Sequence, residues 1–418
     1  MKVLWITNIL FPEVLELLSG NREFKSSGGW MLGAAEALLN NENISLFIAS
    51  VSPLVNQLRF IEGEHISYFI IPLGKGNLRY NNDYESYWKT INNEVKPDVV
   101  HIHGTEYSHG YAYMKACGVE NVVISIQGLM SAYHYYYYGI SKTDIYRNIT
   151  LRDVVKGTII RGQKDFIKRS KFEIEMLKMA SHVIGRTSWD RARTWAINPK
   201  LHYHFCNETL RSEFYNSSTW NYKNCQKHSI FLSQAGYPIK GLHQLLNSMP
   251  LILQEYPDTM IRVAGNDITK HNSFKDFIMY TGYGRYINNL IKKYSLEKHI
   301  TFIGNLNAEQ MINEYLLANV FVCPSTVENS PNSLGEAQIL GVPCISSYVG
   351  GAMDMMENNI ENLYRFEEIE MLAYKVCQIF ANKEKQVDMR NVALNRHNPQ
   401  INALQLYNIY QSILQNSF

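Results

Sequence analysis

Val320-Phe321-Val322-Cys323-Pro324-Ser325-Thr326-Val327-Glu328-Asn329-Ser330-Pro331-Asn332-Ser333-Leu334-Gly335-Glu336-Ala337 changes its pattern twice. Four apolar residues are followed by a turn-rich stretch with two prolines. A helical pattern then runs to Gly341-Val342-Pro343, and a second short run, Cys344-Ile345-Ser346-Ser347, follows. The reading is strand, loop, helix, strand, with Glu328 at the carboxyl end of a buried strand and Glu336 in the first turn of the next helix. In an open parallel sheet that crevice is where ligands bind. A helix start there also offers unpaired backbone N–H groups and the positive end of a dipole to a phosphate.

The same grammar runs along the chain. Strands are expected at Val3–Thr7, Ile44–Ser50, Ile66–Leu73, Val99–His103, Val122–Ile126 and His182–Gly185, with amphipathic segments between most of them. Val99–His103 and Val122–Ile126 are largely apolar on both faces, as parallel strands covered by helices should be. The pattern restarts at Ser229–Gln234 and continues through Met260–Ala264, Ile300–Ile303, Val320–Cys323 and Pro343–Ser346. Alternating strand and helix gives a doubly wound α/β sheet, and the restart gives two of them. Asn207–Lys227 is polar and aperiodic and reads as a linker. In Pro399–Phe418 the residues Leu406, Ile409, Tyr410, Ile413 and Leu414 share one face of an amphipathic helix.

At 418 residues the chain has room for two or three cores, and its net charge of +2 gives no global field for nucleic acid. Cys117, Cys206, Cys225, Cys323, Cys344 and Cys377 form no CxxC pair, which suits reduced thiols in a cytoplasmic protein and gives no zinc site. The opening Met1–Thr7 is too short an apolar run for a signal peptide, and no stretch nears the roughly 20 apolar residues of a membrane-spanning helix.

The segment from Glu328 to Met353, with its two glutamates, Gly341-Val342-Pro343 and Gly350-Gly351, resembles the donor-binding signature of retaining, family 4 GT-B glycosyltransferases (glycosyl transferases group 1). The resemblance extends over nearly the whole chain and is strongest in the carboxyl-terminal half. It implies two Rossmann-like domains facing a cleft: an acceptor-side domain over 1–206, a linker over 207–227, a nucleotide-sugar domain over 228–398, and a helix over 399–418 that crosses back to the first domain. The implied reaction moves a sugar from a nucleotide diphosphate sugar to a hydroxyl of a saccharide or lipid-linked acceptor, without a catalytic metal or other cofactor. The implied setting is cytoplasmic polysaccharide or glycolipid synthesis, with peripheral contact at the inner face of a membrane left open.

Carried over residue by residue, the resemblance assigns Lys240 to the donor phosphates, Glu336 to the ribose hydroxyls and Glu328 to the donor sugar. A carboxylate can accept two hydrogen bonds from a vicinal diol. Ser333 and Glu336 also match a capping box, the bland alternative. Asn332, Ser333 and Leu334 could offer phosphate-facing N–H groups, and Gly28 and Gly29 could let backbone approach a phosphate closely. The family's Arg shortly before Lys240 is missing, since Ser233, Gln234 and Ala235 stand there. Arg186, at the carboxyl end of a strand, is a candidate substitute. Gln127 stands where the family has a sugar-contacting His; it can hydrogen-bond a hydroxyl but takes no proton at neutral pH. His103 ends a strand and could face an acceptor, with His101 deeper.

Ser131–Ile140 holds five tyrosines and His134, and a run of cations from Lys142 to Lys178 follows. This reads either as an acceptor or bilayer platform or as a packed insertion with a solvated face. Two rival functions stay open: a nucleotide-sugar epimerase on the same fold, and a degenerate, non-catalytic partner or sugar-binding protein. Donor base, sugar, acceptor, linkage and oligomeric state leave no readable signature.

Overall fold

The computed structural model describes residues 1–19, 29–73, 80, 83–271, 273–382 and 389–415. It divides the chain into two compact units. The first comprises Met1–Tyr133, Asp165–Arg211 and Arg396–Phe418, and the second comprises His134–Lys164 and Ser212–Asn395.

The first unit is built on strands β1 (Lys2–Thr7), β2 (Ser45–Ser52), β3 (Arg59–Glu62), β4 (Ser67–Pro72), β5 (Val99–His103), β6 (Val122–Ser125), β7 (His182–Gly185) and β8 (His202–Phe205), in the order β3-β4-β2-β1-β5-β6-β7-β8. All neighbours pair in parallel except β3, which runs antiparallel along β4. The second unit holds β9 (Ser229–Leu232), β10 (Met260–Val263), β11 (Ile300–Phe302), β12 (Val320–Cys323), β13 (Cys344–Ser347) and β14 (Leu363–Tyr364), ordered β11-β10-β9-β12-β13-β14 and paired in parallel. The two doubly wound sheets expected from the sequence are therefore present.

Alternation along β1 shows how one strand serves two cores. Leu4 and Ile6 join Val100, Ile102 and Ile124 on one face, while Val3 and Trp5 join Val99 and Val123 on the other. The second face is closed by the carboxyl-terminal helix Pro399–Gln415, through Leu406, Ile409, Tyr410 and Ile413. Residues β5, β6, β7, β9, β12 and β13 are buried along their whole length, as strands sandwiched between helices require.

Three strands carry no signal that periodicity could find: β3 is mostly exposed, β8 is half-buried His-Tyr-His-Phe, and β14 has two residues. The polar stretch read as a linker is divided between the units at Arg211 and Ser212. Its later part is pinned to the second unit: Trp220 donates its backbone N–H to the Leu340 carbonyl (2.7 Å) and its indole N–H to the Ala318 carbonyl (2.7 Å). Polarity misled here because one tryptophan outweighs its neighbours in packing. Residues 134–164, contiguous in sequence with the first half, group with the second unit. Thr326 Oγ1 donates to the Tyr136 carbonyl at 3.0 Å, and His243 Nε2 bonds the Gly139 carbonyl at 2.7 Å.

Candidate functional site

In each sheet the strand order reverses beside one central strand, and that is where a doubly wound fold opens a crevice at the carboxyl ends. In the second unit the reversal falls between β9 and β12. The loop after β9 passes through a short 3₁₀ turn, Pro238–Lys240, before the helix Leu242–Glu255. Gly241 sits between them at φ +72°, and a Cβ there would overlap the Pro324 carbonyl. Thr326 N–H donates to the Ile239 carbonyl (2.8 Å), so the loops after β9 and β12 are tied together. That bracing aims Lys240 at Glu328, with Nζ 2.7 Å from Oε1.

Glu328 is buried, and the same Oε1 accepts from Ser325 Oγ at 2.7 Å. Its backbone carbonyl accepts from Gly351 N–H at 3.0 Å, and a Cβ on Gly350 (φ +54°) would overlap that carbonyl. The paired glycines thus leave room for the backbone of the first glutamate. Burial opposes a charge on Lys240, but the Glu328 carboxylate overrides it and holds the ammonium pKa above its ordinary value.

The helix Asn332–Ile339 begins beside this pair with Pro331 as its N-cap and no side-chain cap. Ser333 lies inside the first turn, so the Ser333–Glu336 capping box does not form. Glu336 is buried at 5% exposure on that helix. The amides of Asn332 and Ser333 precede the first intrahelical bond. Leu334 departs from expectation: its N–H donates to the Pro331 carbonyl at 2.9 Å. The N-cap carbonyl takes the third amide in a 3₁₀-type bond, which spacing alone does not show. Asn332 Oδ1 is buried with no hydrogen-bond partner among the described residues. Gly28 lies outside the described residues. Gly29 opens the helix Gly29–Leu39 in the first unit, with Arg211 Cγ 3.2 Å from where its Cβ would be.

The first unit has its own cavity, with about 490 Å³ of unfilled space including the mouth, reached by His103, Ser125, Gln127, Arg186, Glu208 and Trp30. Both terminal nitrogens of Arg186 are engaged, Nη1 pairing with Glu208 and Nη2 donating to the Ile126 carbonyl at 2.8 Å, while Nε has no hydrogen-bond partner among the described residues. His103 packs its ring on His101 (centroids 3.8 Å) and Trp5 (4.4 Å), and both its ring nitrogens are buried without a partner among the described residues. Burial, helped by His101 and Arg186, pushes its pKa well down, so it is a neutral ring throughout the physiological range.

Beneath it runs a hydrogen-bond chain that the sequence does not reveal. Trp5 Nε1 donates to Tyr410 Oη (3.0 Å), Tyr410 Oη meets His101 Nδ1 (2.6 Å), and His101 Nε2 meets Ser125 Oγ (2.5 Å). The indole can only donate. Fully buried Tyr410 has His101 as the one acceptor for its proton among the described residues, so it donates to Nδ1. Burial and the Arg186 charge push the His101 pKa down to about 3, so its single proton sits on Nε2 and goes to Ser125. The Ser125 hydroxyl is left to donate into the cavity. Tyr410→Phe removes both the acceptor for Trp5 and the donor to His101, and is expected to destabilise the protein by about 2–3 kcal/mol. Imidazole ¹⁵N shifts should show Nε2-protonated His101 in the wild type; a proton on Nδ1 would refute the chain's direction.

Glu106 is a second residue that motif reading passes over. It follows β5 at the first sheet's own reversal point and accepts from Gly128 N–H (3.2 Å) and Asn8 Nδ2 (3.4 Å). Burial raises its pKa to about 7, against the pull of these bonds. Its position just past a strand end beside the switch point was the available signal.

Comparison with known proteins bears on the fold and on the second unit's sequence. Residues 221–396 match the sequence model of the glycosyl transferases group 1 family. The chain is 27% identical over 184 residues to the Bacillus subtilis protein YtcC, covering 42% of this chain and 43% of that protein. The match thus spans less than half the length of the curated relatives. Among solved structures, sucrose-phosphate synthase from Thermosynechococcus elongatus aligns over 100% of both chains at TM-score 0.70 and 18% identity. Anabaena HepE, solved in complex with UDP, aligns over 99% of this chain and 100% of its own at TM-score 0.64 and 15% identity. The chain therefore has the two-sheet GT-B fold of these structures, and its residues 221–396 match the model of the glycosyl transferases group 1 family.

Proposed function

We propose that the protein is a retaining glycosyltransferase that moves a sugar from a nucleoside diphosphate sugar to a hydroxyl of a saccharide or lipid-linked acceptor. The observation that carries this reading is the pair of half-buried Lys240 with buried Glu328, set at the strand-order reversal beside the uncapped start of the Asn332–Ile339 helix and inside the family-matched segment. Lys240 and the amides of Asn332 and Ser333 hold the diphosphate, supplying the positive charge that a metal would otherwise provide. Glu336 accepts from the ribose hydroxyls, and Glu328 both orients Lys240 and bonds the sugar. In the first unit, Gln127 and His103 offer neutral hydrogen-bonding groups to sugar hydroxyls.

In the reaction the anomeric C–O bond to the diphosphate breaks while the acceptor oxygen bonds the same face, and the acceptor proton passes to the departing phosphate oxygen. No side-chain base is needed, which accommodates glutamine at position 127. HepE has been solved with UDP and with UDP-glucose, which makes UDP the first nucleotide to test.

Calorimetric titration with UDP, GDP and ADP tests the reading. One nucleotide is expected to bind, and Glu336→Ala should weaken it by about a hundredfold, the cost of leaving buried diol contacts unmade. Failure of a folded protein to bind any of the three would sink the transferase and favour a non-catalytic partner. Conversion of the bound sugar without an acceptor would favour an epimerase.

A further inference from the structure

The strongest unexplained surface lies on the second unit, away from the donor-binding residues in sequence. The helix Leu151–Lys156 exposes Leu151 at 58%, Val154 at 73% and Val155 at 73%. The helix Phe274–Met279 exposes Phe274 at 81%, Phe277 at 50% and Ile278 at 41%. Each helix repeats the same i, i+3, i+4 spacing, which puts three large apolar side chains on one face of a single turn. Thr150 Oγ1, at the start of the first helix, donates to the carbonyl of Tyr280, at the end of the second (2.7 Å), and Arg285 Nη1 reaches the Ile149 carbonyl (3.1 Å). The two apolar turns are therefore neighbours held by side-chain bonds. A folded protein rarely leaves such side chains together in water without a use for them.

Charge around the turns identifies the partner. Residues 134–164 carry Lys142, Arg147, Arg152, Lys156, Arg161 and Lys164 against only Asp144 and Asp153. Both acids are consumed locally. Asp153 is buried and accepts from Thr150 in a capping box, and Asp144 accepts from the Ser141 hydroxyl. Arg152 lies 3.8 Å from Asp153, and the remaining cations leave the segment that carries the first apolar turn strongly positive in a chain of net charge +2. Exposed apolar side chains that share one helix with Arg152 and Lys156, in a segment of excess positive charge, match the interface of a bilayer bearing anionic headgroups.

We propose that the turns Leu151–Val155 and Phe274–Ile278 form one docking surface that inserts into the interfacial layer of an anionic membrane. No helix among the described residues is long and apolar enough to cross a membrane. This docking surface goes beyond the transferase reading, because docking requires neither donor nor acceptor.

The test is sedimentation of the full chain with vesicles, in the absence of any nucleotide. Vesicles of phosphatidylglycerol and phosphatidylcholine in equal parts should retain the protein, and pure phosphatidylcholine should bind it at least about tenfold less. Val154→Glu/Phe274→Ser should lose binding by a similar factor while keeping the wild-type circular dichroism spectrum and melting temperature, since both side chains already lie in water. Equal binding of wild type and variant would overturn the proposal. So would a wild-type dimer that the variant dissociates without any vesicle binding, which would make this face a contact between two copies of the chain. Because nucleotide titration is separate from this assay, a protein that fails as a transferase can still bind vesicles, and the reverse.

Discussion

Lys240→Ala is expected to lower the stability of the protein by about 3–5 kcal/mol and its transfer rate by about a thousandfold. The stability term follows from what remains. Glu328 is 9% exposed at its side chain, and without the ammonium 2.7 Å away it keeps only the Ser325 hydroxyl named on that oxygen. An unpaired carboxylate in such a place costs far more than the pair itself contributes. The rate term follows from losing the side-chain cation that is proposed to hold the diphosphate beside the helix start.

These two effects can be separated. Lys240→Met/Glu328→Gln removes both charges and should recover stability to within about 1 kcal/mol of wild type, since a buried ion pair is close to neutral against an uncharged replacement. It should not recover kcat/KM. Urea denaturation and steady-state kinetics read the two quantities, and a double variant that regained turnover would show that the pair only shapes the loop.

Arg186→Met should be nearly as damaging to folding, again by about 3–5 kcal/mol, for a parallel reason in the first unit. Its side chain is 4% exposed and Glu208 is 9% exposed, so removing the guanidinium strands a carboxylate and also frees the Ile126 carbonyl at the end of β6. Arg186→Met/Glu208→Met should restore most of the loss. Nucleotide affinity of that double variant is expected to stay within about threefold of wild type, less than 1 kcal/mol, because the guanidinium is already engaged. A tenfold or greater loss in the refolded double variant would reinstate Arg186 as a phosphate ligand in place of the arginine missing before Lys240.

Much of the architecture was legible because buried parallel strands write themselves as continuous apolar runs. Val99–His103 and Val320–Cys323 could be read from composition alone. Strands β3 and β8 could not, because an edge strand has one neighbour and little to bury. The glutamates were legible through their spacing within a recognisable segment, but their partnership was not: Lys240 and Glu328 are 88 residues apart, and only the folded loops bring them together. The proline that caps the Asn332 helix was visible, yet its effect on the Leu334 amide depends on backbone angles. Least legible was the Trp5–Tyr410–His101–Ser125 chain. Its members are ordinary core residues one at a time, and what matters is the direction in which protons pass between them.

The pairing of Trp5 with Tyr410 has a consequence for how the molecule is made. These residues are 405 positions apart, so Tyr410 is synthesised long after Trp5. The first sheet can assemble early in synthesis, but one of its faces stays uncovered, and His101 stays without its hydrogen-bond donor, until the carboxyl-terminal helix emerges. Residues 134–164 must likewise wait for strands made long afterwards. A nascent chain stalled before the Pro399–Gln415 helix therefore displays an open apolar face, a state that chaperones hold and proteases recognise. A chain cut short before Pro399 should then leave no half-sized remnant in cells, because the helix that covers this face is missing.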